Sequence, residues 1–174
     1  MTVADHWISV SGRSLGGPTA VLDLDGVISD ASHRQHFLAA DRPTSDDFHR
    51  FFHACVDDPV LPAGRALAES LTGQLCVVIL TARIHAIRDQ TVEWLARHSV
   101  GHDWLILRGE DDHGSSSEWK RDQLEQLSAA GAEVRLAADD DPRNVAMMRS
   151  LGFPTLYIAS GYYDRRDAGS VEFR

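Results

Sequence analysis

The sequence is poor in cysteine, in positive charge and in long apolar runs. Two of its 174 residues are cysteines, Cys55 and Cys76. Nothing in that number asks for a disulfide framework, and Cys76 falls in the apolar run 75–80, where it packs as a small hydrophobe. The expected compartment is therefore reducing and cytoplasmic. No apolar stretch approaches the roughly 18 residues of a membrane span, so no membrane partner is expected. Residues 1–10 carry Asp5 and His6 and no basic segment, unlike a secretory signal. Lys plus Arg is 17 against 26 for Asp plus Glu, a net charge of -9. That deficit argues against sequence-independent duplex binding through a broad basic face. It leaves room for a nucleotide, or a nucleic-acid end, held at one local basic pocket. Collagen-like, mucin-like and disulfide-scaffold classes are excluded by composition.

What is present is the balance of an ordinary soluble protein, 43% apolar and 25% charged. The length fits one domain with a small insertion. Short apolar runs at 19–25, 75–81, 104–107, 134–138 and 155–159 alternate with amphipathic segments. Several runs end in Asp, Thr or Gly, as buried parallel strands do. Helices are predicted from Pro62 to Gly73, from Ile84 to His98, and from Ser117, as N-cap, to Ala130. In the second of these, Ile87, Val92, Trp94 and Leu95 share one face. A further helix begins at Pro142 and ends at Gly152, with Val145, Met148 and Leu151 as its stripe. The class is α/β with a mainly parallel sheet. Residues 26–60 break the rhythm. Helical patterns at 33–40 and 46–54 make this interval a small helical insertion over the first strand's C-terminal end, a lid. Trp7, Ile8 and Val10 suit either an added edge strand or a frayed segment.

In an open parallel sheet, ligands bind beyond the C-terminal strand ends. The first run ends in Asp23-Leu24-Asp25-Gly26, where a glycine lets the backbone turn and bring Asp25 over the site of Asp23. The second ends in Thr81-Ala82-Arg83. The helix near Ser117 carries Lys120 in its first turn. The fourth run ends in Asp139-Asp140-Asp141. Each has an ordinary explanation alone: a turn, an N-cap, a solvated lysine, the acidic start of a helix. Together they make a coherent site. Carboxylates bind Mg²⁺ through oxygen, a carboxylate can attack phosphorus, and a lysine stabilises the oxygens of the transition state. The acidic run 110–113 reads as a solvated loop. The nine histidines show no metal-ligand spacing. Trp94 and Trp119 suit helix core faces.

Asp-Leu-Asp-Gly-Val at 23–27, with Thr81, Lys120 and Asp139-Asp140, resembles the four motifs of the haloacid dehalogenase superfamily of phosphohydrolases. The span 19–163 resembles more closely the 3'-phosphatase domain of bacteriophage polynucleotide kinase-phosphatase. That likeness is carried by Leu136-Ala137-Ala138-Asp139-Asp140 with Val145, Met147, Arg149 and Leu151-Gly152. Cys55-Val56-Asp57-Asp58-Pro59, Thr81-Ala82-Arg83 and Ala159-Ser160-Gly161-Tyr162 carry it too. The resemblance implies a Rossmann-like three-layer sheet with a cap at 27–60 inside a domain at 18–163. It leaves 1–17 as an extension or extra strand and 164–174 as a polar tail.

The resemblance further implies a Mg²⁺-dependent phosphomonoesterase working through a phospho-aspartate. Asp23 matches the nucleophile and Asp25 the general acid. Asp23, the Asp25 carbonyl and Asp139 match the Mg²⁺ ligands, with Asp140 in support. Thr81, Ala82 and Lys120 lie where phosphate is gripped, and Arg34 and Arg83 where arginines approach substrate. Read alone, Arg34 is equally a surface helix charge. Val27 replaces the commoner threonine, and 114–117 is serine-rich where the phage domain is charged. No GxxxxGK[ST] of a kinase half is present. The expected substrate is a nucleic-acid 3'-phosphate or a nucleotide, with a role in nucleic-acid repair. The alternatives are a small phosphorylated metabolite, or a non-catalytic module that binds a phosphorylated partner.

Overall fold

A computed structural model describes residues 6–39, 42–110, 112 and 114–163. Residues 1–5 of the N-terminal extension, the proposed polar tail at 164–174, and Asp111 and His113 of the acidic run lie outside the described residues. In chain order the elements are β1 (Trp7–Ser9), β2 (Gly17–Leu22), α1 (Ser45–His53), α2 (Pro62–Leu71), β3 (Cys76–Ile84), α3 (Arg88–Arg97), β4 (Trp104–Arg108), α4 (Ser116–Ala129), β5 (Ala132–Asp139), α5 (Pro142–Ser150) and β6 (Thr155–Tyr157). They build one six-stranded sheet of order β1-β4-β3-β2-β5-β6. Five strands run parallel, and β1 pairs antiparallel with β4 as an added edge. The chain moves outward from β2 through β3 to β4, then crosses back to β5. The strand order therefore reverses beside β2, the place where such sheets bind ligands.

The strands read as continuous apolar runs because both faces are covered. Val78 and Leu80 face a core with Trp119, Leu124 and Leu127 of α4 and Met147 and Met148 of α5. Val77 and Ile79 point the other way, toward Ala68 of α2 and Trp94 and Leu95 of α3. This period-two alternation produces three layers from one sheet. The edge strand is fixed by a buried glutamine: Gln123 Oε1 accepts from Trp7 Nε1 at 2.7 Å.

Several boundaries differ from the sequence expectation. β2 stops at Leu22, although the Asp23 amide still donates to the Ala138 carbonyl at 2.9 Å. The helix expected from Ile84 begins at Arg88, because β3 runs on to Ile84 and a 3₁₀ turn follows at His85–Ile87. Val92, expected on that helix's apolar face, is exposed. The α4 cap is Ser115 and not Ser117. Glu118 stands three residues beyond Ser115, and the two exchange reciprocal side chain–backbone bonds, a capping box. Lys120 consequently sits in the second turn.

The insertion after β2 is helical, as expected. It consists of a 3₁₀ segment at Ser32–Leu38, α1 with a Thr44–Asp47 capping box, and a second 3₁₀ turn at Ala54–Asp57. The chain re-enters the core through α2, started by Pro62 at its first position. α2 lies hard against the loop after β2: a Cβ on Gly64 would sit 1.8 Å from the Val27 carbonyl oxygen. Gly64→Ala should therefore destabilise the protein by about 1–3 kcal/mol, the usual cost of forcing atoms into a packed interior. Chemical denaturation measures this, and an unchanged midpoint would contradict the close approach.

Candidate active site

The C-terminal strand ends bring the predicted residues together. Asp23 follows β2, and Asp139 closes β5 with Asp140 just beyond. One carboxylate oxygen from each of Asp23, Asp139 and Asp140 lies within 4.8 Å of the others, and all three residues are buried. Lys120 reaches in from α4, with Nζ 2.6 Å from Asp139 Oδ2 and 3.0 Å from Asp23 Oδ1. Asp139 is held on its other oxygen, where Oδ1 accepts from the Asp141 amide at 2.9 Å and Asn144 Nδ2 at 3.0 Å. Asp141 itself caps α5, so the acidic triplet divides into two site residues and one cap. Gly26 makes the crowding possible. Its φ is +80°, and a Cβ there would lie 2.0 Å from Asp140 Oδ2.

Three carboxylates against one ammonium crowd negative charge among buried side chains. Burial, with the neighbouring carboxylates Asp139 and Asp25, raises the Asp23 carboxyl well above its ordinary range, and Lys120 only partly opposes this. Burial and the charges of Asp23 and Asp139 likewise raise Asp140. Asp140 Oδ2 has no hydrogen-bond partner among the described residues. The group that would satisfy this oxygen and the excess charge is a hard cation with oxygen ligands. The donor set fits one.

Asp25 meets the opposite surroundings. Its Oδ1 accepts from Arg34 Nη2 at 2.7 Å and from Arg83 Nη2 at 2.6 Å. Burial alone would raise its pKa, but Arg83 and Arg34 outweigh it and bring it down to about 2. Both arginines also grip Asp58. Arg34 reaches its two oxygens at 2.8 and 2.7 Å, and Arg83 Nη2 reaches Oδ2 at 2.8 Å. Ser29 Oγ donates to the same Asp58 oxygen. Arg34 is fully buried, with its guanidinium 4.3 Å above the Phe51 ring. It is not a surface helix charge.

A cavity of about 340 Å³ opens onto these groups. Asp23, Asp25, Thr81, Ala82, Arg83, Lys120 and Asp140 all line it, and the cap contributes Phe48, Phe51 and Phe52. Arg34 is not among the lining residues and reaches Asp25 from behind. Thr81, Ala82 and Arg83 occupy an irregular stretch of β3: Leu80 pairs with Ile106 and Ile84 with Arg108, so four steps on β3 span two on β4. The extra length turns Arg83 inward. Past β6, the Tyr162 hydroxyl accepts from the Ala31 amide at 2.6 Å and donates to Asp30 at 2.9 Å. Sequence reasoning did not single out Asp58, Asn144 or Arg108 as site residues. The only signal for Asp58 was its place in Asp57-Asp58-Pro59 at the end of the insertion.

A doubly wound strand order, a cavity at its switch point and paired carboxylates fit a phosphatase of the haloacid dehalogenase type. The family model for the polynucleotide kinase PNKP phosphatase domain matches residues 18–163, and the chain belongs to that family. No curated protein gives a match. Among solved structures, the chain is similar to one in the Pnkp1/Rnl/Hen1 complex, with 20% identity and a TM-score of 0.64 over 90% of this chain and 50% of that one. This chain thus spans half the length of that relative. It is also similar to the class C acid phosphatase from Bacillus anthracis with tungstate bound, with 18% identity and a TM-score of 0.58 over 87% of this chain and 70% of that one. A haloacid dehalogenase-like hydrolase from Streptococcus pneumoniae gives 15% identity and a TM-score of 0.54 over 86% and 88%. At these identities the structures attest the shared fold.

Two outcomes follow from the electrostatics. Asp58→Ala leaves two buried guanidinium groups to share Asp25 and should cost about 3–5 kcal/mol of stability in denaturant titrations. The carboxylate cluster sets a pH dependence. A carboxyl raised on folding penalises the folded state as pH climbs from its unfolded value near 4, and for Asp23 the penalty is complete above about 7. Asp25, lowered on folding, acts oppositely, and its contribution is lost only as pH falls toward about 2. In chelator at pH 8, Asp140→Asn should therefore be more stable than the unsubstituted protein by about 1 kcal/mol, or roughly 2–4 °C in Tm. At pH 4 the advantage should vanish. Equal Tm values at pH 8 would show that the repulsion is already relieved.

Proposed function

We propose that this protein is a Mg²⁺-dependent phosphomonoesterase that removes phosphate from nucleic-acid 3' ends or nucleotides through a phospho-aspartate. The observation that carries this is the pairing of Asp23, beside Lys120 in the carboxylate cluster, with Asp25, held by arginines in the same cavity. Family membership favours a nucleic-acid end over a small metabolite. The two carboxylates favour turnover over phosphate binding alone, since a binding module has no use for the second. Two free cysteines fit a cytoplasmic site of action. No helix among the described residues is long and apolar enough to cross a membrane.

Asp23, Asp139 and Asp140, with the Asp25 carbonyl, would hold Mg²⁺. When bound there, it offsets the repulsion between carboxylates and a phosphate dianion. An Asp23 carboxylate oxygen attacks phosphorus, and the bond from phosphorus to the 3'-oxygen breaks. Lys120 and Thr81, with the Ala82 backbone, hold the phosphoryl oxygens, and Arg83 stands at the cavity wall beside them. Asp25, protonated from solvent as the substrate binds, gives that proton to the departing oxygen, then takes one from the water that attacks the phospho-aspartate. The arginines keep Asp25 ionised at rest. A dianion arriving next to Arg83 shares that guanidinium and adds negative charge, and both effects raise the affinity of Asp25 for a proton.

The test uses 3'-phosphorylated oligonucleotides with and without Mg²⁺, and an Asp25→Asn variant. Chelator should abolish phosphate release, and Mg²⁺ should restore it. A sugar hydroxyl leaves poorly without a proton, so Asp25→Asn should slow oligonucleotide hydrolysis by about 10²–10⁴-fold. Nitrophenolate needs no proton. The same variant should give a burst of up to one nitrophenol per enzyme, with phosphate trapped on Asp23. Equal losses on both substrates, with no acyl phosphate detected by mass spectrometry, would remove Asp25 from acid–base work. Preferential hydrolysis of sugar phosphates would move the substrate class to metabolites.

A further inference from the structure

A second cavity, of about 490 Å³, lies beside the catalytic one. The two share Phe48, Phe52 and Arg108 in their walls. It is bounded by α1 of the cap on one side and by Ile84 and the segment after β4 on the other. Three phenylalanines of α1 divide between two tasks. Phe51 turns inward beneath Arg34 and is buried. Phe48 and Phe52, one helical turn apart, face the cavities, with ring centroids 6.5 Å apart and planes inclined by 25°. Phe48 is 43% exposed, a large apolar surface for a soluble protein to leave open beside its active site.

The polar wall of this cavity selects among occupants. Glu110 and Asp112 line it, and their charge repels a second phosphate. Arg108 is paired with Asp112 at 2.6 Å and with the Gly114 carbonyl. Its Nε is buried and has no hydrogen-bond partner among the described residues. A site with aromatic faces, carboxylate acceptors and one guanidinium N–H is suited to a flat, neutral, hydrogen-bonding group. The three shared wall residues set the two cavities side by side, as a group attached to the phosphate being removed requires.

We propose that this cleft holds the nucleobase of the nucleotide bearing the scissile phosphate, stacked on Phe48 and Phe52. The inference rests on the nucleotide-end reading above and deepens it. Phe48 and Phe52 are specificity residues that bind the leaving nucleoside, and Arg108 contributes an N–H between the two cavities. Recognition then needs one nucleotide and no extended basic track, in keeping with a net charge of -9.

The experiment compares two short 3'-phosphorylated oligonucleotides, identical except that the terminal nucleotide carries a base in one and is abasic in the other. The full chain should prefer the base-bearing end in kcat/KM by about tenfold, the value of one stacked base. In Phe48→Ala the preference should collapse toward one, and in Phe48→Trp it should persist. A purely structural role for Phe48 would lower both substrates together and leave the ratio intact, which would overturn the proposal. No base preference in the unsubstituted protein would overturn it as well. Failure to hydrolyse either oligonucleotide, with acetyl phosphate still hydrolysed, would overturn the nucleotide-end reading and this inference with it. Loss of the ratio alone leaves that reading standing.

Discussion

Three buried carboxylates facing a single ammonium are the constraint on which the rest of this molecule turns. Asp23, Asp139 and Asp140 could not stay close together on a flexible loop; repulsion would drive them apart into water. They are kept together because β2 and β5 are adjacent parallel strands inside the sheet, with their ends fixed by ladder bonds and by the apolar layers on both faces. Gly26 removes the one atom that would collide with Asp140. Lys120 supplies partial compensation from a helix whose own position is set by a capping box. The fold contributes the stability, and the site spends part of it.

The second charge system has the opposite balance. Two guanidinium groups meet Asp25 and Asp58, so the signs nearly cancel, although Arg83 Nη1 is buried with no hydrogen-bond partner among the described residues. The members of this system come from different layers. Arg83 belongs to β3, Arg34 and Asp58 to the two ends of the cap, and Asp25 to the turn that follows β2. The same ion cluster therefore fastens the insertion to the sheet and sets the electrostatic environment of Asp25. A cap fixed in this way differs from a lid on a bare hinge. Its inner end is anchored, and its outer helix carries the exposed aromatic surface.

The parts legible in the sequence were those with local signatures. Strand ends with Asp, Thr and Arg after apolar runs located Asp23, Asp25, Thr81, Arg83 and Asp139. Pro62 and Pro142 marked helix starts. What escaped were relations between distant residues. Arg34 and Asp58 are 24 positions apart, and no periodicity pairs them, so Arg34 alone looked like a solvated charge. The bulge in β3 has no composition signal and displaced the start of α3 by four residues. Ser115 and Ser117 stand in one serine run, and only the partner Glu118 decides between them. Phe48 and Phe51 differ in nothing but helical phase, yet one is left exposed and the other is buried against a guanidinium.

The two rims of the sheet are β1 and β6, each three residues long. A strand this short presents few free amides and carbonyls, too few to template the addition of another strand. Growth of the sheet from chain to chain is thereby discouraged at both ends. If this phosphatase works as one segment of a larger assembly, its short rims disfavour a shared β-ladder as the joint, and the orientation of the catalytic mouth then depends on contacts through helices, loops or covalent linkage.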